Sequence, residues 1–498
     1  MLLTKTNYLL YRECPQNAWV KIFEPKIYYS RQLSDFDKMI METGNEIDEL
    51  ARELFPGGIL IKNREDIQTT KELINKKEKI IYQPVFCTDK FEAIVDMLIW
   101  DGNEEAYDIY EAKSTNSGKN KKKHYDEYKH DLAFQVNVLK KLSVPINKIY
   151  IIRLNSDYTR QEKLDISELF VVEDFTNEVI GIADIVLDEM ESAYDLLKIE
   201  NKPQNYCSCI VKGRSAHCTS FNYLNPDVPE YSVHDISRIG NSKKKLVELI
   251  DREIYSIFDV PADFNLSAIQ RNQVDSAQSK KIIFNNSEMI PFFRDIKYPI
   301  SFLDYETCIS AVPRFIGYKP YNQIPFQFSL HILENLESEL EHFEFLYINS
   351  DNPDLEFIKE LKKCLPPKGS IIVWNKTFEH GINAKLAERN REHSQFLENL
   401  NDRIVDLETP FKKQFYVHPA FKGKSSIKYV LPALAPKFSY KDLNIQEGGT
   451  ASSTWNKIVT GKFTDNEIKG KSEDLLTYCK LDTLAMYKIW KHCWEKIE

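Results

Sequence analysis

The chain has 498 residues, 42% of them hydrophobic and 28% charged, and a formal net charge of −9. That is the composition of a globular protein with ample core, and the length suggests about three domains. No apolar run approaches the roughly 18 residues that span a bilayer, and the opening Met1-Leu2-Leu3-Thr4-Lys5 lacks a signal-peptide pattern, so a cytoplasmic protein without membrane contact is expected. The negative charge speaks against a general nucleic-acid coat protein but only weakly against a nuclease, whose acids are neutralised by metal. Nine cysteines, an odd number, argue against a disulfide scaffold.

Residues 1–30 open with a helix-like segment that holds Cys14-Pro15. Gly44 to Gly58 predicts an amphipathic helix with Ile47, Leu50, Ala51 and Leu54 on its buried stripe, Asp48 beside it, and Pro56-Gly57-Gly58 as its stop. Next, Ile80–Phe86, Phe91–Ile99 and Ala106–Ser114 predict a β-meander with turns at Cys87–Lys90 and Asp101–Glu105. Asp96 lies in the second strand, and Glu111 and Lys113 share a face of the third. Two acids and a lysine on neighbouring strands suit a metal and a positioned water or phosphate oxygen, while a cross-strand ion pair is the plain alternative. Tyr128, Leu132, Gln135 and Leu139 follow at helical spacing, with Gln135 the polar member. The intervening Lys119–Lys123 run reads as solvated loop, or else as a phosphate contact.

Cys207-Ser208-Cys209 and Cys218, with Cys14 far upstream, offer four thiolates for an iron–sulfur cluster or zinc; four ordinary thiols is the other reading. Cys87, Cys308, Cys364, Cys479 and Cys493 sit in apolar patterns and read as core. From about Tyr231 to Asn286 the chain reads as helical. A hairpin there serves as a spacer or, through backbone amides as in helix-hairpin-helix elements, as a phosphate contact. Phe302–Thr307 predicts a short buried strand with Asp304 and Glu306 on one face and Leu303 and Tyr305 on the other. Like charges on one face call for a cation, unless the strand is a solvated edge. Tyr321, Phe326 and Phe328 read as core or as a stacking surface for a terminal base. Ile371–Glu379 predicts a strand running into a turn with an acid at its end. Leu475–Asp482 has helical spacing with Tyr478 and Asp482 at i and i+4.

Asp304-x-Glu306 on a first strand, Asn375-x-x-x-Glu379 after a later one and Tyr478-x-x-x-Asp482 on a C-terminal helix resemble the three motifs of the DEDDy 3′→5′ exonucleases, over about residues 297–498. The resemblance implies a ribonuclease-H-like fold, in which Ile404–Leu407 and Ser426–Leu431 stand for a further strand and helix. It implies two Mg2+ or Mn2+ ions held by Asp304, Glu306, Glu379 and Asp482, with Tyr478 orienting the attacking water. The family usually carries Asp in the middle motif, and the longer arm of Glu379 could displace a metal or slow the reaction.

Asp96 followed by Glu111-x-Lys113 resembles the core of the PD-(D/E)XK nucleases, over about residues 1–220. Gly44-x-x-x-Asp48 stands where RecB-like members carry Gly-x-x-x-His, and Gln135 lies on the equivalent of their Gln-bearing helix, with Leu139 in place of the usual Tyr. This implies Asp96 and Glu111 as metal ligands, Asp48 as a further one, and Lys113 and Gln135 as catalytic. Cys14, Cys207, Cys209 and Cys218 resemble the cluster staple of RecB-like and CRISPR-adaptation nucleases, which implies a [4Fe–4S] cluster, with zinc as the alternative.

The expected architecture is α/β: a restriction-endonuclease-like domain over 1–225, a helical connector over 226–296 and a ribonuclease-H-like exonuclease domain over 297–498. The combination resembles a bacterial family that joins these two nuclease types. The expected activity is metal-dependent hydrolysis of phosphodiester bonds in DNA, with RNA second, in repair, recombination or defence; the sequence names no protein partner. The alternative is a nucleic-acid-binding or scaffold protein with degenerate nuclease domains, which Glu379, Asp48 and Leu139 favour.

Overall fold

Pro15 cannot continue the helix before it, so the first segment breaks into α1 (Lys5–Glu13) and α2 (Pro15–Phe23), with Cys14 extended at the corner. The computed structural model describes residues 1–30, 34–117 and 124–497, and strand β1 (Leu3–Thr4) precedes these helices. The Lys119–Lys123 run lies outside the described residues. Helix α3 (Asp35–Arg52) starts at a capping box between Ser34 and Asp37 and buries Met39, Ile47 and Ala51. It therefore begins well before Gly44, because the cap, not the glycine, sets its start. It also ends before Pro56.

The expected meander is cut into shorter strands: after β2 (Ile59–Leu60) come β3 (Ile80–Tyr82), β4 (Val85–Cys87), β5 (Phe91–Ile94), β6 (Met97–Asp101) and β7 (Ala106–Asn116). One break falls at Gln83, whose φ of 54° is left-handed, and Pro84. The other falls at Val95-Asp96. There the Asp96 carbonyl accepts the Gln83 N–H at 3.0 Å, and its carboxylate accepts the Ala112 N–H at 2.9 Å. Asp96 thus sits at a corner between strands rather than within one. Helix α4 (Tyr125–Lys141) leads to β8 (Ile146–Leu154), parallel to β7, and then β9 (Phe170–Asp174) and α5 (Ala183–Leu197) follow. The strands form a three-stranded sheet, β1-β5-β4, and a six-stranded mixed sheet, β2-β3-β6-β7-β8-β9. Tyr8, Trp19, Phe91, Leu132 and Met190 belong to the one core these elements share.

The connector holds α6 (Lys243–Asp251), α7 (Ala268–Ser279), strand β10 (Ile283–Phe284) and α8 (Asn286–Arg294), with 3-10 turns between. Val233, Ile239, Leu249 and Val274 give it a small core of its own. Its last helix is different: Met289 and Phe293 of α8 are buried in the C-terminal core.

That last unit runs β11 (Ile300–Ile309), β12 (Gln323–Leu333), β13 (Leu340–Leu346), α9 (Asp354–Cys364), β14 (Ile371–Val373), α10 (Lys376–Arg389), α11 (Ser394–Asp402) and β15 (Ile404–Asp406). It continues through β16 (Tyr416–Val417), which pairs with β10, to α12 (Ile427–Leu434), α13 (Gly448–Val459) and the long α14 (Asp465–Ile497). The sheet order is β13-β12-β11-β14-β15, so β11 is central and not a solvated edge. Leu303 and Tyr305 pack with Phe357, Ile382 and Leu397 on one face. Phe302 and Cys308 pack with Trp455, Met486 and Trp490 on the other, and strand alternation puts Asp304 and Glu306 on that second face. Phe326 stacks on Trp455 with centroids 4.8 Å apart and Phe328 is buried, so both are core rather than base-stacking surfaces.

The outer units touch. Ala311 and Val312 join Ile47 and Ala51 in one apolar cluster, Arg160 Nη1 donates to Pro313 O at 2.8 Å, and Tyr321 Oη donates to Ser114 O. Among the described residues no helix is long and apolar enough to cross a membrane.

Candidate metal centres

Strand β11 presents Asp304 and Glu306 toward α14, which carries Tyr478, Cys479 and Asp482. A bulge at Glu306–Thr307 bends the strand there, a device that re-aims side chains. Glu379 enters from the first turn of α10, just after β14. Glu306, Glu379 and Asp482 are 7%, 3% and 8% exposed. Cys479 Sγ lies 3.6 Å from Asp304 Oδ2, and ligand atoms of Asp304, Glu306 and Cys479 all lie within 4.8 Å of one another. Tyr440 donates to Asp482 Oδ1 at 2.5 Å. Lys428 of α12 donates to Gln446 O at 2.6 Å and stands 5.9 Å from the ring centroids of Tyr440 and Tyr478. Helix α13 starts beside Glu306, since a Cβ on Gly448 would lie 3.7 Å from its Oε2.

These acids burden one another. Burial, reinforced by Asp482, Glu306 and Glu379, pushes the Asp304 carboxyl well above the usual range, and burial with Asp482 does the same to Glu306. Burial and Asp406 push Glu379 up to about 8. Burial raises Asp482 to about 6, against the hydrogen bonds of Tyr440 and Tyr478 and the charge of Lys428. Buried Glu379 Oε2 has no hydrogen-bond partner. Carboxyls pushed toward their protonated form by burial and, for Asp304 and Glu306, by the charge of neighbouring acids fit a divalent cation, which would satisfy the orphaned oxygen as well.

At the first centre, Glu111 is 2% exposed and accepts from Lys5 and Lys113 at 2.8 Å each and from Gln135 at 2.9 Å. Asp131 of α4 accepts from the same Gln135 amide at 2.9 Å and pairs with Lys5 at 3.2 Å. Asp96 accepts from Gln83 at 3.3 Å, and Gln83 and Arg52 both donate to Asp48. Burial, Glu111 and Asp48 push Asp96 up to about 7 against the pull of Lys5 and Lys113. Burial disfavours the charged form of Lys113, but Asp131 and Glu111 outweigh it and hold its pKa well above the ordinary value. Asp48, Asp96 and Glu111 line one cleft of about 590 Å3 with Arg52, Arg64 and Gln83.

The corner at Cys14 meets the turn bearing Cys207 and Cys209, and Cys218 closes the group: all four Sγ atoms lie within 4.8 Å of one another. Cys207 and Cys218 are 4.0 Å apart, and Asn225 donates to Cys207 Sγ at 3.1 Å. Hydrogen bonds within the group hold the Cys14 thiol far below its ordinary pKa and push those of Cys207 and Cys218 far above theirs, so in the absence of metal the sulfurs share protons around one thiolate. This set could hold a metal. Of the cysteines expected in the core, Cys308, Cys479 and Cys493 are buried, while Cys87 and Cys364 are only partly so.

Sequence reasoning misses Lys5, Gln83 and Asp131 at the first centre and Lys428, Tyr440 and Cys479 at the second. Asp131 carries a signal, being four residues before Gln135 on one helix face. Cys479 follows Tyr478 directly. Lys5 and Tyr440 reach their sites from segments with no periodic relation to the motifs.

Residues 301–426 match the family model described as "Domain of unknown function (DUF2779)". The match holds Asp304, Glu306 and Glu379 and stops short of Tyr478 and Asp482. The chain is 24% identical over 220 residues to "Uncharacterized protein UU173" of Ureaplasma parvum, covering 40% of this chain and 32% of that protein. It is 26% identical over 227 residues to "Uncharacterized protein MG366 homolog" of Mycoplasma pneumoniae, covering 42% of this chain and 34% of that protein. The chain thus spans about a third of the length of these curated relatives.

Proposed function

We propose that the chain is a metal-dependent nuclease with two hydrolytic centres: a DEDDy-type 3′→5′ exonuclease centre at Asp304, Glu306, Glu379 and Asp482, and a RecB-like PD-(D/E)XK centre at Asp96, Glu111 and Lys113. The observation that carries this reading is the C-terminal group of acids, drawn from three separate stretches and buried beside a central strand, with the Glu379 Oε2 left unpartnered. Burying like charges without a cation costs stability, so folding alone gives no reason for it. A mixed five-stranded sheet with the acid-bearing strand in its middle suits a ribonuclease-H-like unit. A mixed six-stranded sheet with Glu111 and Lys113 on an inner strand suits a restriction-endonuclease-like one.

Mg2+ or Mn2+, bound by these acids, would supply an activated water and neutralise phosphate charge. The side chains do the remaining work. Tyr478 orients the water, Tyr440 fixes the carboxylate of Asp482, and Lys428 offers positive charge to a phosphate oxygen. In the N-terminal centre Lys113 plays the charge-stabilising part, Gln135 holds Glu111 and Asp131, and Asp48 lines the cleft. The substrate class is nucleic acid, DNA ahead of RNA, in repair, recombination or defence.

At the cysteines we propose a structural zinc rather than a [4Fe–4S] cluster. Thiolates 2.3 Å from one tetrahedral ion stand about 3.8 Å apart, close to the 4.0 Å between Cys207 and Cys218. In a four-iron cluster each thiolate takes its own iron, which spreads the sulfurs farther.

One observation favours a binding protein with degenerate nuclease units: Glu111 and Asp131 are neutralised by Lys5 and Lys113 without a cation. Single- and double-stranded DNA and RNA incubated with the full chain and Mg2+ or Mn2+ separate the two readings. Metal-dependent shortening that EDTA stops supports the nuclease; tight binding with every substrate intact supports the other.

A further inference from the structure

The thiol of Cys479 lies inside the acid centre, and we propose that it is a metal ligand there. It makes one position of the centre selective for a thiophilic divalent ion, Zn2+ or Co2+, over Mg2+. The inference rests on the reading that the acids hold cations, and adds which cation.

Cys479 is fully buried on α14 between Tyr478 and Asp482, and its Sγ lies 3.6 Å from Asp304 Oδ2. A tetrahedral ion with sulfur at 2.3 Å and carboxylate oxygen at about 2.1 Å holds those two atoms about 3.6 Å apart. The Cys479 thiol donates to Asp304 Oδ2 across this distance, and the same spacing suits two ligands on one ion once the thiol proton is replaced by metal. Glu306 supplies a third atom within 4.8 Å of both. The negative charge of Glu379 reaches the same two carboxyls, and its own buried Oε2 has no hydrogen-bond partner. An oxygen-only set suits Mg2+ or Mn2+, whereas one thiolate in the set moves preference toward Zn2+ and Co2+. The S–H gives up its proton to solvent when the S–metal bond forms, as does any carboxyl of the set that is protonated before it binds the ion.

The test uses the full chain with its four-cysteine centre intact, stripped of loosely held ions and titrated with Co2+, Zn2+ and Mg2+. Wild type and Cys479→Ser share the four-cysteine centre, so their difference isolates Cys479. The expected result is a thiolate-to-cobalt charge-transfer absorption, for one ion per chain, that wild type shows in excess of Cys479→Ser. Zn2+ affinity should fall by more than about 100-fold, beyond the cost of losing a supporting group, with Mg2+ affinity nearly unchanged. Cys479→Ala, which keeps the buried position apolar, should show the same loss and guards against misfolding of the serine variant. Identical cobalt spectra and equal Zn2+ affinities in all three proteins overturn the proposal, and Mg2+-dependent trimming by wild type then leaves the nuclease reading standing. If Asp304→Asn also leaves the binding of all three ions unchanged, the reading of the acid centre falls with it.

Discussion

Tyr440 donates its phenolic hydrogen to Asp482 Oδ1 at 2.5 Å, and Tyr478 stands one helical turn before Asp482 on α14. The two tyrosines are given different tasks above, so their removal should look different. Tyr440→Phe takes a hydrogen bond from the charged form of a metal ligand, worth about 1.5–3 kcal/mol. The Mg2+ needed for half-maximal trimming should rise about tenfold or more, with kcat largely restored at saturating Mg2+. Tyr478→Phe removes the group that orients the water and should lower kcat by about 100-fold even at saturating metal. Trimming rates across a Mg2+ series distinguish the patterns.

Without divalent ions the acid centre should make the fold less stable as pH rises. Glu379 and Asp482 are raised to about 8 and about 6, so the folded chain keeps protons that the unfolded chain has released. Their contribution is complete below the ordinary carboxylate range and is lost as pH climbs through those values. Glu379 alone accounts for about 1.4 kcal/mol per pH unit inside its window. Thermal unfolding in EDTA from pH 5 to pH 9 should therefore show a falling Tm, flatter in Glu379→Gln and flatter in wild type with Mn2+. A Tm that rises across that range would contradict the assignment.

The cysteine set ties the corner at Cys14 to the end of the first unit, so a metal bound there would stabilise that unit. The purified chain should be colourless and contain zinc at the four-cysteine centre. Cys14→Ser should release that zinc and lower Tm on the order of 5–10 °C. Elemental analysis and thermal unfolding check both. A brown protein containing iron would restore the cluster reading, and a metal-free wild type as stable as the loaded protein would leave four ordinary thiols.

Part of the C-terminal group is legible in sequence: alternation puts Asp304 and Glu306 on one face of β11, whereas Glu379 and Asp482 join them only through the resemblance of their motifs. Alternation along β11 and the i, i+4 step from Tyr478 to Asp482 need no tertiary information. The breaks in the predicted meander do. Asp96 leaves the strand because its carboxylate is taken by the Ala112 amide, a partner that pairing alone does not disclose. The start of α3 is written in Ser34 and Asp37, but Gly44 is the more conspicuous mark and points to the wrong place. Lys5, Lys428 and Tyr440 stay hidden for a different reason. Each is an ordinary residue in its own segment, Tyr440 in a loop, and gains its role only when the fold sets it against a distant acid.

The most direct measurement is release of the terminal nucleotide from 3′-labelled single-stranded DNA with Mg2+, by wild type, Lys113→Ala and Asp304→Ala. Asp304 faces the proposed water and metals of the C-terminal centre, while Lys113 serves the other. The account predicts stepwise 3′ release by wild type, release retained by Lys113→Ala, and a loss of about 100-fold or more in Asp304→Ala. Equal release by wild type and Asp304→Ala, or none by wild type with either Mg2+ or Mn2+, would contradict it.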